Sequence, residues 1–295
     1  MVFVERRTVS ENSPQQRDIF SEATGRHVLV QERAAVGEAR GTMLLLHGLG
    51  DHVGRHRWMS DMVNEAGFDV VAVDWPGNGG SPGIRGDIPE VEKAGQLIED
   101  VLAETKVKPV GIFAHSTGGY LLVHWMAKRP ACLEKLKWVL FSSPLIVPSH
   151  EQSPTKISLA RKLSRVAPKL SLSTGVGLSD CYSPESQQRF EKLRTMADGV
   201  HNRVSLRFAA SLLDSEAEFW SAVKNLPGDV AYLITEGSED MVCPFPYAIK
   251  FFAALPGESK IFIVAAGSRH EPFRETARAG FMNGARAWLG KVAAS

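Results

Sequence analysis

Cysteine is scarce in this 295-residue chain. Cys132, Cys181 and Cys243 are an odd number, far apart, and no two form a CxxC pair. That sets aside a disulfide framework and a structural zinc site, and makes a reducing compartment the simpler expectation. An excess of one charge is lacking too. Lys and Arg number 34 against 33 Asp and Glu, a formal net charge of +1, so nothing in the balance asks for nucleic acid or an acidic partner. No apolar run approaches the roughly 18 residues that span a bilayer. The opening "MVFVERRTVSENSPQQRD" carries charges where a signal peptide needs its apolar core. Internal repeats and low-complexity tracts are also missing. What is present, 44% hydrophobic and 23% charged residues, is the composition of a soluble protein, expected in the cytoplasm, with chain enough for a sizeable core.

Short apolar runs alternate with amphipathic stretches. The runs "HVLVQE" (27–32), "TMLLLH" (42–47), "DVVAVD" (69–74), "PVGIFAH" (109–115), "LKWVLFSS" (136–143), "DVAYLIT" (229–235) and "KIFIVAA" (260–266) are the candidate strands. Several are continuously apolar, as strands buried on both faces are. Between them "RWMSDMVNEAG", "IPEVEKAGQLIEDVLAE", "GGYLLVHWMAKR" and "PYAIKFFAAL" carry apolar residues at helical spacing, and "ARAGFMNGARAWLGKV" closes the chain likewise. The expected fold class is α/β: one domain over 1–295, a mostly parallel sheet with helices on both faces. The rhythm breaks between about 148 and 222, where helix-like segments run with no convincing strand. A helical insertion is expected there, a cap over the carboxyl ends of the strands, where open α/β sheets bind ligands.

Four places carry chemistry. In "GIFAHSTGGY" Ser116 follows a strand and precedes a helix, the context of a nucleophile elbow, with small Ala114 and Gly118 two residues to either side. A serine in a purely structural or phosphate-binding turn is the rival for this segment alone. "LLLHGLGDHVG" places His47, Gly48, Leu49 and Gly50 in a glycine-bearing loop after another strand. In this fold class such a loop supplies one oxyanion-hole amide and the residue after the nucleophile supplies the other, which assigns Leu49 and Thr117 N–H. His47, His52 and His56 offer a competing metal reading, but their spacing lacks the carboxylate of HExxH and no metal is expected. "LITEGSEDMV" puts Asp240 just past a strand end, with Glu239 its competitor for the acid, and "VAAGSRHEPF" puts His270 past the next. Ser116, Asp240, His270 is the chain order of an α/β-hydrolase triad. His270 would take the serine proton and return it to the leaving group, with Asp240 fixing the imidazole tautomer.

"HGLGDHVGRHRWM", "DWPGNGGSPG", "AHSTGG", "GSEDMVCP" and "GSRHEPFRE" together resemble the monoacylglycerol lipase and lysophospholipase branch of the α/β-hydrolases, close to the serine aminopeptidase-like hydrolases. The resemblance runs from about residue 20 to the end. It implies Ser116, Asp240 and His270 as triad, Leu49 and Thr117 as oxyanion donors, and no cofactor. His47, Gly48, His115 and residues of the cap are the expected substrate contacts. Cys243 is similar in placement to a cysteine near the active site of some mammalian members; a thiol beside the triad and an ordinary half-buried cysteine are the two readings. Ala114 and Thr117 stand where the branch usually has Gly and Met, and Gly199 where many relatives have proline.

In the insertion, "KISLARKLSRVAPKL" gathers Leu159, Ala160, Leu163, Val166, Ala167 and Leu170 on one helical face, with Lys156, Arg161, Lys162, Arg165 and Lys169 on the other. Such a helix docks on the catalytic domain or touches a lipid surface. An apolar ester is therefore the expected substrate, monoacylglycerol-like or lysophospholipid-like. Thioesterase, carbon–carbon hydrolase and aminopeptidase are rivals within the fold. The last would need an acidic side chain among Glu185, Glu191, Asp198, Asp214, Glu216 and Glu218 to hold an amine. A silent binding protein of this fold would usually have lost a triad member, and none is lost.

Overall fold

A computed structural model of the protein describes residues 14–193, 199–276 and 278–294. Its strands are β1 (Gln15–Ser21), β2 (Arg26–Arg33), β3 (Thr42–Leu46), β4 (Asp69–Val73), β5 (Gly111–His115), β6 (Trp138–Ser142), β7 (Ser171–Ser173), β8 (Arg203–Ser205), β9 (Ala231–Gly237) and β10 (Lys260–Ala265). The helices are α1 (Arg57–Glu65), α2 (Val91–Thr105), α3 (Thr117–Lys128), α4 (Pro154–Val166), α5 (Leu178–Cys181), α6 (Pro184–Leu193), α7 (Leu206–Lys224), α8 (Phe245–Ala254) and α9 (Arg278–Ala294). Eight strands form one sheet in the order β1-β2-β4-β3-β5-β6-β9-β10. The pairs from β4 through β10 are parallel, while β1–β2 and β2–β4 are antiparallel.

Strand periodicity explains the continuously apolar runs. Successive side chains point to opposite faces, so Leu44, Leu46, Val71, Val73, Ile112, Val139 and Phe141 enter one core while Met43, Leu45, Val70, Ala72, Phe113, Trp138 and Leu140 enter another. The first core is covered by α2, α3, α7 and α8, the second by α1 and α9. In α2, Ala94, Leu97, Ile98, Val101 and Leu102 recur at helical spacing and are buried. The helix stops where Lys106 turns to φ 58°. At the far end Trp288 of α9 meets Trp138 edge-on.

Two features differ from expectation. β1 was not anticipated: "QQRDIFS" is polar because it is an outer antiparallel strand, exposed along most of its length. The segment between β6 and β9 is not purely helical, since β7 and β8 pair as a short antiparallel ribbon among its helices. Its last helix, α7, starts at Ser205, whose hydroxyl accepts the Phe208 N–H at 3.2 Å. α7 packs into the main core: Phe208, Leu212, Phe219 and Val223 are buried there, with Phe219 stacked on Tyr120 at 5.0 Å. Asp87, buried beyond β4, ties α7 to the sheet by accepting from Arg207 at 2.7 Å and from Arg26 of β2 at 2.7 Å. Among the described residues no helix is long and apolar enough to cross a membrane.

Candidate active site

The sheet order reverses around β3: β4 lies on one side of it and β5 on the other. Such a switch point opens a crevice beyond the carboxyl ends of the two strands. Leu46 and Ala114 sit opposite each other at those ends, so the loops that follow must emerge side by side. One begins His47-Gly48-Leu49, and the other is the turn at Ser116.

Ser116 occupies φ 50°, ψ −122°, a strained conformation for a residue with a side chain. The turn is held on three sides. Ser116 N–H donates to Ser142 O at 3.0 Å, and Ser116 O accepts from Gly119 N–H at 2.9 Å and Leu145 N–H at 3.0 Å. Small residues are a packing requirement here. A Cβ on Gly118 would lie 2.6 Å from His47 O, and one on Gly48 would lie 2.9 Å from the Ser116 Cβ. Leu49 and Thr117 thus bring their backbones to the serine, and among the described residues neither N–H is used in a hydrogen bond.

His270 and Asp240 reach Ser116 from the other half of the sheet. Asp240 sits in the turn after β9 and His270 in the loop after β10, which folds back over β9 and β6 to reach β5. His270 Nε2 lies 2.9 Å from Ser116 Oγ, and Nδ1 lies 2.8 Å from Asp240 Oδ2. Asp240 Oδ1 accepts the Val242 and Cys243 amides, each at 2.7 Å. Burial works against an ionised Asp240, yet His270 and these amides hold its carboxyl below the usual range. Burial alone would lower the His270 pKa, but the Asp240 carboxylate outweighs it and leaves the ring above its ordinary 6.5. Glu239, the competitor for the acid position, is exposed.

The predicted contact residues are closer to scaffolding than to an open surface. His47 is fully buried: Nδ1 donates to Gly48 O at 2.7 Å, Nε2 accepts Trp75 N–H at 3.1 Å, and burial lowers its pKa. His115 donates from Nδ1 to Ser142 O at 2.9 Å and packs under the His270 ring at 5.0 Å. Desolvation takes its pKa down to about 3, so it stays neutral. Cys243 is buried beside the serine, and burial pushes its thiol well above the usual range. Among the described residues no cluster of His, Cys, Asp or Glu is arranged to hold a metal ion.

A buried ionic junction beside His270 escaped the sequence reading. Arg55 Nη1 donates to Asp51 Oδ1 at 2.7 Å and Nη2 to Glu271 Oε2 at 2.5 Å and to Tyr182 Oη at 2.7 Å. Tyr182 Oη also donates to Glu271, and His56 Nε2 lies 2.5 Å from Asp51 Oδ2. The junction joins the loop after β3, the residue next to His270, and the insertion. The insertion meets the loop after β3 a second time, where His201 N–H donates to Gly50 O at 2.9 Å. Only Asp51–Arg55 had a sequence signal, an i,i+4 pair.

The surface of the insertion is divided differently from the expected two faces. Ala160, Leu163 and Ala167 are half-buried, whereas Leu159, Val166 and Leu170 are exposed beside Lys162, Arg165 and Lys169. Of the acidic candidates, Asp214 pairs with Arg161 and Glu216 accepts from Ser149, while Glu185 and Glu218 face outward. Glu191 and Asp198 lie outside the described side chains.

Residues 37–277 match the family described as serine aminopeptidase, S33. The chain is 26% identical to the monoglyceride lipase of Rattus norvegicus over 260 residues, which cover 86% of this chain and 82% of that one. It is 28% identical over 259 residues to an uncharacterised abhydrolase domain-containing protein of Dictyostelium discoideum; this covers 84% of the chain but spans only 26% of that relative. The crystal structure of Paleococcus ferrophilus monoacylglycerol lipase is similar with a TM-score of 0.79 and 29% identity, covering 90% of this chain and 99% of that one.

Proposed function

The chain belongs to the serine aminopeptidase S33 family of α/β-hydrolases, and from that premise we propose that it is a serine carboxylic ester hydrolase working through an acyl-enzyme intermediate. One observation carries the reading: the continuous hydrogen-bonded line from Ser116 Oγ through His270 to Asp240. Neutral His270 accepts the serine proton as Oγ attacks the ester carbonyl. The developing oxyanion is received by the N–H groups of Leu49 and Thr117, donors each worth about 3–4 kcal/mol in such sites. His270 then protonates the leaving alcohol, and water repeats the cycle to free the acid. His47 and Gly48 hold the loop that presents Leu49, and His115 supports the His270 ring from below. The insertion over about 148–222 acts as the cap on this single domain.

The substrates we propose are monoacylglycerol-like or lysophospholipid-like esters. Supporting this are the similarity to monoglyceride lipases and the exposed Leu159, Val166 and Leu170 beside basic side chains, which suit transient contact with a lipid surface. No buried, unpaired acid among the described cap residues speaks for an aminopeptidase. The free thiols of Cys132, Cys181 and Cys243 fit a cytoplasmic setting.

Ser116→Ala and His270→Ala each lower turnover of a soluble nitrophenyl ester by roughly 10⁴-fold or more, and the double variant costs little further, because the triad acts as a unit. Ser116→Ala also abolishes labelling by a fluorophosphonate probe; near wild-type hydrolysis by that variant refutes the reading. A chain-length series of monoacylglycerols and lysophospholipids, run beside thioesters and aminoacyl amides and with or without anionic vesicles, fixes the substrate. Turnover of amides alone overturns the ester assignment.

A further inference from the structure

One acidic group beside the triad is not used by the steps proposed above. Glu236 is the penultimate residue of β9 and is fully buried. Among the described residues neither of its carboxyl oxygens receives a hydrogen bond. Three elements close around it. From beyond β6 comes Ser143, whose N–H donates to Thr235 O at 2.8 Å and whose hydroxyl faces the carboxyl. From the turn after β9 come the Asp240 carboxyl, in contact with it, and the Cys243 thiol. From β10 the paired residue is Val264, and His270 follows beyond Asp240.

Two carboxyls in contact in a dry site do not both ionise. The choice between them is made by their other partners. Asp240 accepts two amides and the imidazole N–H, all of which favour its anion. Of such donors among the described residues, near Glu236 stand only the Ser143 hydroxyl and the Gly237 N–H, neither in hydrogen-bond geometry, so the proton stays on Glu236. Burial and the Asp240 charge push its acid well above the usual carboxylate range.

We propose that Glu236 is a positioning residue of the triad: as an uncharged acid it donates its O–H to Asp240, fixing that carboxylate's orientation toward His270 Nδ1–H. The inference rests on the Ser–His–Asp reading. The second carboxyl then adds a hydrogen bond without a second negative charge, which would make His270 too basic to be neutral at physiological pH. A donor on Asp240 also tempers its pull on the imidazolium.

The test compares kcat/KM against pH for a soluble ester in the wild type, Glu236→Gln and Glu236→Leu. The Gln amide N–H replaces the lost O–H, so its acid limb stays at the wild-type position while kcat falls only about threefold. Leu removes the donor, so the limb moves to higher pH by about half a unit or more and kcat falls about tenfold. If Glu236 were ionised, Gln would remove an anion and move the limb to lower pH, which overturns the proposal. Identical limbs and rates in all three proteins overturn it too.

Thermal unfolding from pH 5 to 9 gives a second readout that does not depend on activity. A folded acid raised above its unfolded value stabilises fully below the unfolded value, and that contribution is lost as pH rises. Glu236→Gln has no such loss, so its Tm gains on the wild type as pH rises; a constant difference overturns the proposal. Failure of the fluorophosphonate to label Ser116 would sink the serine hydrolase reading instead, and the unfolding comparison would still report the Glu236 proton.

Discussion

At the scale of single residues, the proposed role of His270 as base sets the pH behaviour. Its ring is held above the ordinary 6.5 by Asp240, against burial, and it must be neutral to accept the serine proton. As pH falls through that raised value the ring protonates, and kcat/KM drops by about tenfold per pH unit below it. A kcat/KM profile on a soluble ester between pH 5 and 9 checks this, and a profile flat to pH 5 excludes His270 as base. That Ser116, Asp240 and His270 would meet in one hydrogen-bonded line was foreseeable in the sequence, because each lies in the turn or loop after an apolar strand, in an order one fold class uses. Glu236 was not. Three acids crowd "TEGSED", and nothing local tells which points inward; that depends on β6 and β10 closing against the end of β9. His47 and His115 were legible as neighbours of the site, but the hydrogen bonds that hold their buried rings depend on Trp75 and Ser142, which come from beyond β4 and from β6.

At the scale of elements, the buried junction of Arg55, Asp51, Glu271 and Tyr182 couples three loops that carry the site. Despite burial, Arg55 keeps Asp51 well below the usual carboxylate range and Glu271 below it as well. Depressed carboxyls contribute stability above their unfolded values, and it is lost as pH falls through the folded ones. Arg55→Ala leaves two acids buried without their cation and costs about 3–5 kcal/mol. Thermal unfolding at pH 7 registers that as a fall in Tm, with the gap to wild type narrowing toward pH 3; an unchanged Tm contradicts the assignment. The helices were readable because their apolar faces repeat, and the inner strands because burial on both faces leaves continuous apolar runs. β1 was missed because an outer strand shows polar residues to water on most of its length, and β7–β8 because three residues a side carry too few positions for a period. The junction spans 216 residues between Arg55 and Glu271, a separation no local pattern reports.

For the whole molecule, the insertion is not a detachable module. α7 places Phe208, Leu212, Phe219 and Val223 in the main core, and Asp87 binds α7 to β2 through two arginines. Unfolding in urea should therefore be one cooperative step, with far-ultraviolet circular dichroism and tryptophan fluorescence superimposing. Phe219→Ala removes a ring packed on Tyr120, Trp220 and Phe251 and lowers the stability of the entire protein by about 3–5 kcal/mol. An early separate transition in the wild type, or a variant that loosens the insertion alone, would show two independent bodies. The break in strand rhythm after β6 matches the stretch of helices and short ribbon between β6 and β9. It could not reveal that its final helix belongs to the core, because a helix buried in either place has the same apolar stripe.

The backbone at Ser116 has one more consequence. At φ 50°, ψ −122° the elbow sits where glycine rests without steric cost and serine does not. The strain is about 1–3 kcal/mol, partly offset by glycine's greater freedom in the unfolded chain. Selection for endurance to heat, with nothing asked of turnover, would therefore drift toward Ser116→Gly. On the proposed mechanism that variant has lost its nucleophile, so screens for thermal tolerance need an activity gate to avoid selecting it.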